Sequence, residues 1–148
     1  MCPKIGNHIG LGEVKNKKKC RAIASRIKKP KSRVVVAEHN IETRANICSL
    51  VEQLNCVAVP VVSVSEILEV VRSRRVDLVL LDLDLVWLGE LDTMDTIKQL
   101  APLVPVVIMS HVITSALARR LCDRGAHSFL VKPVRRDQLA VTLFRYLL

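Results

Sequence analysis

Four residues whose types suit phosphoryl transfer lie at the ends of four apolar runs in this sequence. Each follows a run rich in Val, Leu and Ile; they are Glu38, Asp82, Ser110 and Lys132. A carboxylate can accept a phosphoryl group as a nucleophile, and neighbouring carboxylates can hold a hard divalent cation such as Mg²⁺ through oxygen. A lysine and a hydroxyl can bind the remaining phosphoryl oxygens. Positioning and charge neutralisation, the main requirements of this reaction, would then both be supplied.

The apolar runs are the predicted strands that would position these residues. Five runs alternate with stretches of helical periodicity, which predicts parallel strands joined by right-handed crossover helices. In an open parallel sheet, ligands bind beyond the carboxyl ends of the strands, where the four residues would meet. The predicted strands are 34–36, 56–62, 76–81, 104–109 and 127–131, and the predicted helices are 42–54, 63–74, 92–100, 114–125 and 135–148.

Local signals refine this pattern. Pro60 lacks a backbone donor, so the second strand should lie at an edge of the sheet, which fits the strand order 2-1-3-4-5. Ser63 and Glu66 have the spacing of a capping box, and Gly125 is suited to ending a helix. Residues 82–91 are predicted to form a loop.

The positive charge of the chain is concentrated near its N-terminus. The chain has 148 residues and a net charge of +9, and ten of its 23 Lys and Arg residues but one of its 14 acids lie in 1–32. Like charges and weak apolar periodicity predict a basic, flexible extension over 1–32, followed by a neutral domain over 33–148. Any contact with nucleic acid is expected through the extension. Its clusters at 15–21 and 28–33 also have the spacing of a bipartite nuclear import signal; a solvated tail is the alternative.

Cysteine usage and hydropathy indicate an intracellular protein. The five cysteines include no C-x-x-C pair, and residues 1–20 contain no apolar stretch long enough for a secretory signal. The apolar runs are too short or too interrupted to span a bilayer. The sequence therefore predicts a cytoplasmic location without a membrane segment, or a nuclear location in a eukaryotic cell.

Residues 33–148 resemble the receiver domain of response regulators over their full length. The sequence VDLVLLD at 76–82 resembles the strand that ends in the phosphoacceptor aspartate, and VVIMS at 106–110 resembles the strand that ends in the switch Ser or Thr. GAHSFLVKP at 125–133 resembles the last strand with its Lys-Pro signature, and 34–40 resembles the first strand with its acidic end. The resemblance implies a doubly wound α/β fold of the flavodoxin-like (βα)5 type.

The resemblance also implies a role for each site residue. Asp82 is the implied phosphoacceptor, and Lys132 pairs with the phosphoryl group. Ser110 is the hydroxyl and Phe129 the aromatic residue of the implied switch. The implied ligands of Mg²⁺ are Glu38, Asp82 and the backbone carbonyl of Asp84.

Position 39 departs from the family pattern. The family usually has a second acid there that binds Mg²⁺ directly, whereas this chain has His39, and imidazole is a poor ligand for a cation that prefers oxygen. The segment after Asp82 also has Val86 where Pro is usual. We favour a solvent-exposed substitution in a weakened magnesium site, which Asp84 would partly repair, over a transition-metal site built from His39 and Glu38.

These features predict a signalling protein, not an enzyme acting on a small molecule; at most it would catalyse its own phosphorylation and dephosphorylation. The leading hypothesis is a stand-alone receiver that accepts a phosphoryl group on Asp82 from a histidine kinase or His-containing phosphotransfer protein. Its output would pass through a face made by the helix at 114–125, the strand at 127–131 and the helix at 135–148. The rival hypothesis is a pseudo-receiver, a protein-binding module with an inactive site, whose basic extension provides nuclear targeting or nucleic-acid contact.

Overall fold

The computed structural model describes residues 29–88 and 92–148, which form five strands and six helices. Most of the predicted basic extension lies outside the described residues, so the extension stays a prediction. The strands are β1 (Arg33–Ala37), β2 (Val57–Val61), β3 (Leu78–Asp82), β4 (Val106–Ser110) and β5 (Ser128–Val131). The helices are α1 (Ile41–Gln53), α2 (Val64–Ser73), α3 (Leu83–Leu88), α4 (Asp92–Leu100), α5 (Ser115–Asp123) and α6 (Arg136–Leu147).

All five strands form one parallel sheet in the order β2-β1-β3-β4-β5. The predicted strand order and the doubly wound α/β class are therefore confirmed. A parallel strand with helices on both faces must be apolar on both, so it reads as a continuous hydrophobic run. The strand β3 meets this requirement, since all five of its residues are buried.

The helices cover both faces of the sheet, so two hydrophobic layers form. Because side chains alternate between the faces of a strand, Val35 packs into the first layer while Val34 and Val36 pack into the second. The first layer is closed by α2 to α5, through Ile67, Leu85, Met94, Ile97 and Leu121. The second layer is closed by α1 and α6, through Ile47, Val51, Leu139 and Leu143. In the described part of the chain, no helix has both the length and the apolarity needed to cross a membrane.

Pro60 lies in an edge strand, as its missing backbone donor predicts. The strand β2 is at the end of the sheet and pairs with β1, where Pro60 lies opposite Val36. A proline in a central strand would instead remove a hydrogen bond from a buried ladder.

Capping residues fix the start of α2 and the end of α5. Ser63 Oγ accepts the backbone N–H of Glu66 at 3.2 Å, as predicted, but the Glu66 carboxylate accepts the backbone N–H of Val62 at 2.8 Å instead of returning to Ser63. Gly125 follows α5 with a φ of +100°, a left-handed value that glycine adopts without strain. A Cβ at Gly125 would also lie 2.8 Å from Lys98 Cγ, so the position requires glycine for space as well.

The prediction of a loop over 82–91 is wrong for most of that segment, because α3 is helical. Three of its apolar side chains are buried in the first layer: Leu83, Leu85 and Val86. A helical turn buries these side chains while its backbone groups remain hydrogen-bonded, which an irregular loop at this depth would not achieve. Residues 89–91 lie outside the described residues.

Replacing Ile67 by Ala should lower the free energy of unfolding by about 2–5 kcal/mol, because the fully buried side chain leaves a cavity. Ile41→Ala is the matched control, since Ile41 is 71 % exposed and its loss should change stability by no more than about 0.5 kcal/mol. Urea denaturation followed by far-UV circular dichroism measures both variants. Equal losses at the two positions would contradict the packing of α2 against the sheet.

Candidate functional site

The carboxyl ends of four strands meet at one edge of the sheet and carry the predicted site residues. Glu38 and His39 follow β1, Asp82 ends β3, Ser110 ends β4 and Lys132 follows β5. Because the strands are parallel, all of these positions lie at the same edge, where open α/β sheets bind their ligands. Four of the side chains contact one another there, and we call them the carboxylate cluster: Glu38, His39, Asp82 and Lys132.

Lys132 joins the two carboxylates of the cluster. Its Nζ lies 2.6 Å from Glu38 Oε2 and 2.9 Å from Asp82 Oδ1, and none of the three side chains is more than 4 % exposed. Lys132 donates a hydrogen bond to Asp82, whereas Glu38 Oε2 receives no hydrogen bond of acceptable geometry and is held by charge. Because both ion pairs are buried, water screens their charges little, and the loss of one charge would strongly affect the other two.

His39 contacts the other oxygen of each carboxylate. Its Nδ1 is hydrogen-bonded to Asp82 Oδ2 and lies 3.2 Å from Glu38 Oε1. The side chain is 46 % exposed, so part of the ring faces solvent while Nδ1 faces the cluster. The predicted solvent exposure therefore describes only part of the environment of His39, because its Nδ1 also contacts the two buried carboxylates.

Backbone N–H groups hold the two carboxylates in place, and one arginine holds the main chain at Glu38. The backbone N–H of Asn40 donates to Glu38 Oε1 at 3.1 Å, and that of Asp84 donates to Asp82 Oδ1 at 3.1 Å. Arg44 Nη1 donates to the backbone carbonyl of Glu38 at 2.9 Å and so ties α1 to the end of β1. Arg44 is not among the predicted site residues. Its sequence signal is weak, because a basic residue near the start of a helix is usually an ordinary surface residue.

The contacts within the cluster favour the charged forms of Asp82 and Lys132. Burial alone would raise the pKa of Asp82, but hydrogen bonds from Lys132, His39 and the backbone of Asp84, with the charge of Lys132, lower it below its ordinary value. Burial alone would lower the pKa of Lys132, but its contacts with Glu38 and Asp82 raise it. At neutral pH the cluster therefore presents an ionised carboxylate beside an ammonium group.

Ser110 and Phe129, the predicted switch residues, have partners other than the cluster side chains. Ser110 Oγ donates to the carbonyl of Val112 at 2.9 Å and accepts its N–H at 3.3 Å. The backbone carbonyl of Ser110 accepts the N–H of Lys132 at 2.8 Å, so the two residues are joined through their main chains. Phe129 is half-buried and packs against the first hydrophobic layer.

The cluster contains a group of possible metal ligands. One ligand atom each from Glu38, His39 and Asp82 lies within 4.8 Å of the others. The two carboxylates fit Mg²⁺, which prefers oxygen. The imidazole of His39 does not fit Mg²⁺, and the exposed side chain of Asp84 is not part of the group.

The family described as Response regulator receiver domain matches residues 34–144 of the chain. The chain belongs to this family. The predicted resemblance is confirmed, and receiver domains are modules of two-component signalling. The carboxylate cluster of this receiver domain lies at the sheet edge where the resemblance places the family's acidic residues.

Curated relatives match part of this receiver domain. Transcriptional regulatory protein ZraR of Escherichia coli O157:H7 is 38% identical over 76 residues, which cover 51% of this chain and 17% of ZraR. Regulatory protein LuxO of Vibrio cholerae is 36% identical over 76 residues, again covering 51% of this chain and 17% of the relative. The chain thus matches a small part of each relative's length.

Solved structures agree with the fold of this receiver domain. A two-component response regulator from Clostridium difficile has a TM-score of 0.73 at 14% identity, with 79% of this chain and 96% of that chain covered. NtrX from Brucella abortus has a TM-score of 0.70 at 25% identity, with 80% of this chain and 26% of that chain covered. The first likeness shows the fold alone.

Replacing Lys132 by Met should lower the free energy of unfolding at neutral pH by about 3–5 kcal/mol, because two buried carboxylates lose their buried counter-ion. Arg75→Met is the control. It breaks the exposed pair between Arg75 Nε and Asp77 Oδ1 at 3.2 Å and should lose no more than about 1 kcal/mol. Urea denaturation measures both.

The loss caused by Lys132→Met should shrink as the pH falls. The folded-state pKa of Asp82 is below its ordinary value of 3.8. The stabilisation from this carboxylate is therefore present above pH 3.8 and is lost as the pH falls through the folded-state pKa. A difference between wild type and variant that stayed constant from about pH 7 to about pH 2 would contradict this ion pair.

Proposed function

We propose that this receiver domain accepts a phosphoryl group on Asp82 from a histidine kinase or a His-containing phosphotransfer protein. The observation that carries the proposal is the Asp82 carboxylate at the end of β3, 1 % exposed and 2.9 Å from Lys132 Nζ. An ionised carboxylate beside a fixed ammonium is a nucleophile whose charge-stabilising partner is already in place. Membership of the receiver family supports the signalling role.

In the proposed reaction, an Asp82 oxygen attacks the phosphorus atom of a phosphohistidine. The O–P bond forms as the N–P bond breaks, and the histidine nitrogen leaves with the electron pair. Lys132 then lies beside the acyl phosphate, where its ammonium offsets the added negative charge. Mg²⁺, held by Glu38, Asp82 and the carbonyl of Asp84, would neutralise further charge on the phosphoryl oxygens.

Ser110 and Phe129 would transmit the modification to the surface. The Ser110 hydroxyl is bonded to the main chain of Val112, so reaching a phosphoryl group on Asp82 requires it to leave that turn. Phe129 is already half-buried against the first layer. A movement of Ser110 at the end of β4 would therefore reach Phe129 in the neighbouring strand β5.

The output face that we propose is made by α5, β5 and α6. Val131, Val141 and Phe144 are 52 %, 62 % and 69 % exposed there. A shallow pocket between β5 and α6 is lined in part by Phe129 and Asp137. Exposed apolar side chains beside a pocket support a protein partner at this face.

A cytoplasmic location and contact of the basic extension with nucleic acid remain predictions from the sequence. Nuclear targeting by the same extension is likewise a prediction. The two predictions for the extension rest on residues 1–32, of which 1–28 lie outside the described residues. The predicted cytoplasmic location rests on composition.

A pseudo-receiver is the second candidate function, and one observation favours it. His39 takes the place of an acid and is hydrogen-bonded to Asp82 Oδ2, so one oxygen of the proposed nucleophile is already engaged. In this alternative the domain acts by binding a protein partner without accepting a phosphoryl group.

Asp82→Asn should abolish labelling by acetyl phosphate in the presence of Mg²⁺, because the amide cannot act as the nucleophile. Intact mass spectrometry measures the labelling. Asp84→Asn is the matched control and should keep it, since Asp84 contacts Asp82 through its backbone N–H, which this change retains. Labelling of Asp82→Asn would exclude Asp82 as the acceptor, and an unlabelled wild type would favour the pseudo-receiver.

His39→Asp should raise the affinity for Mg²⁺ at least about tenfold, because a third carboxylate joins the cluster. Without Mg²⁺ the same variant should be less stable than wild type, since three acids then share one lysine. Calorimetric titration of Mg²⁺ measures the affinity, with His39→Asn as a neutral control of similar size. Equal affinity in the Asp and Asn variants would show that position 39 does not limit Mg²⁺ binding.

A further inference from the structure

Basic residues gather at the amino edge of the sheet, opposite the carboxylate cluster. Some come from the last turn of α2 and the segment that follows it, and the others from the chain that enters β1. All are exposed except Arg33, which is half-buried. We call these five residues the basic surface: Lys31, Arg33, Arg72, Arg74 and Arg75.

Contacts of Asp77 bring the two parts of the basic surface together. The backbone N–H of Asp77 donates to the carbonyl of Arg33 at 2.9 Å, and Asp77 Oδ2 accepts the N–H of Arg33 at 2.8 Å. Asp77 Oδ1 pairs with Arg75 Nε at 3.2 Å. Asp77 therefore links the start of β1 to the segment after α2, and each of its carboxylate oxygens already has a partner.

Positive charge is in excess at this edge. Within the described part of the chain, the members of the basic surface other than Arg75 form no ion pair. Glu69, an exposed acid one turn earlier on α2, pairs with none of them. Like charges held close together repel one another, and a bound polyanion relieves that repulsion.

We propose that the basic surface binds the phosphate backbone of a nucleic acid without reading its sequence. This role goes beyond phosphoryl transfer, which we place at the opposite edge. The sequence confines contact with nucleic acid to the extension at 1–32, whereas the fold adds Arg72, Arg74 and Arg75 from a distant part of the chain. The domain predicted to be neutral over 33–148 thus carries its charges unevenly.

The chemistry of the basic surface favours phosphate groups as its partner. Arginine presents a planar set of donors that matches the oxygens of a phosphate. The segments 31–33 and 72–75 read KSR and RSRR and contain no apolar residue. A protein partner would need an apolar centre to its interface, and a bilayer surface would need apolar side chains to insert.

The basic surface is also continuous in the chain with the basic extension. Lys31 directly follows the sequence KKP at 28–30, and the extension holds most of the positive charge of its segment without matching acids. Because the two basic parts are covalently joined, binding by one raises the effective concentration of the other at the same nucleic acid. Each phosphate contact adds to the release of counterions that drives such binding.

Binding at the amino edge leaves the carboxylate cluster accessible. A strand rises about 3.3 Å per residue, so strands of five residues separate the two edges by roughly 16 Å. This separation exceeds the screening length of about 8 Å at physiological salt. A nucleic acid at the basic surface should therefore neither cover Asp82 nor alter its charge.

Fluorescence anisotropy of a labelled DNA duplex of about 20 base pairs, titrated with the full chain at several salt concentrations, tests this role. Arg72→Gln with Arg74→Gln removes two phosphate contacts, so affinity at low salt should fall at least about tenfold and the salt dependence should lose about 2 units of slope. The matched control is Arg135→Gln with Arg136→Gln, which removes the same charge from exposed positions at the carboxyl edge and should bind as wild type.

Equal affinity of the two double variants would overturn the proposed surface, because net charge or the extension alone would then account for binding. A wild-type chain that does not bind the duplex would also overturn it. Vesicles containing phosphatidylserine are the second probe, and binding to them without binding to the duplex would assign the surface to a lipid instead. Asp82→Asn should bind the duplex as wild type, so this result is independent of the test of the phosphoacceptor.

Nuclear magnetic resonance of the wild-type chain gives a readout that needs no variant. On addition of the unlabelled duplex, the backbone amide signals of residues 72–75 should shift before those of residues 135–138. Shifts that begin at 135–138, or that leave 72–75 unchanged while the duplex binds, would contradict a contact at the amino edge.

Discussion

The ammonium group of Lys132 lies between two carboxylates from different strands, and the arrangement of the sheet's carboxyl edge depends on this contact. Glu38 follows β1, Asp82 ends β3 and Lys132 follows β5, so the lysine reaches past the end of β4 to meet both acids. Burial alone would drive Asp82 towards its neutral form. Beside the buried lysine Asp82 remains charged, and the same contacts that stabilise the fold would prepare it for the proposed role as a nucleophile.

The fold could be predicted from the sequence because each of its causes is local or periodic. Apolar runs of the length of a strand alternate with stretches of helical periodicity. Because Pro60 places its strand at an edge of the sheet, only a few strand orders remain possible, and the observed order is one of them. The helix α3 escaped prediction because it is short, and its buried residues include Leu83, Leu85 and Val86. So brief a run shows too little periodicity to be distinguished from a loop.

The candidate site could be predicted as a set of positions but not as a set of contacts. Parallel strands oblige Glu38, Asp82 and Lys132 to lie at one edge, and the sequence shows this. It does not show which oxygen faces which partner, since that depends on side-chain torsions and on the loop after β1, which Arg44 fastens from α1. His39 is the clearest case. Its type indicates a departure from an oxygen-only site, but the approach of Nδ1 to both carboxylates is visible in three dimensions alone.

Pro60 has a consequence for how copies of the chain meet. A parallel sheet of this kind has two open edges, and an exposed edge invites the strand of another molecule to add to it. At the β2 edge, the missing N–H of Pro60 deprives an incoming strand of one hydrogen bond. The opposite edge, β5, is four residues long and offers a short template. Addition of a strand from another copy is thus disfavoured at both edges of the sheet. At high concentration, copies of the chain should therefore stay separate unless the side chains of α5, β5 and α6 bring them together.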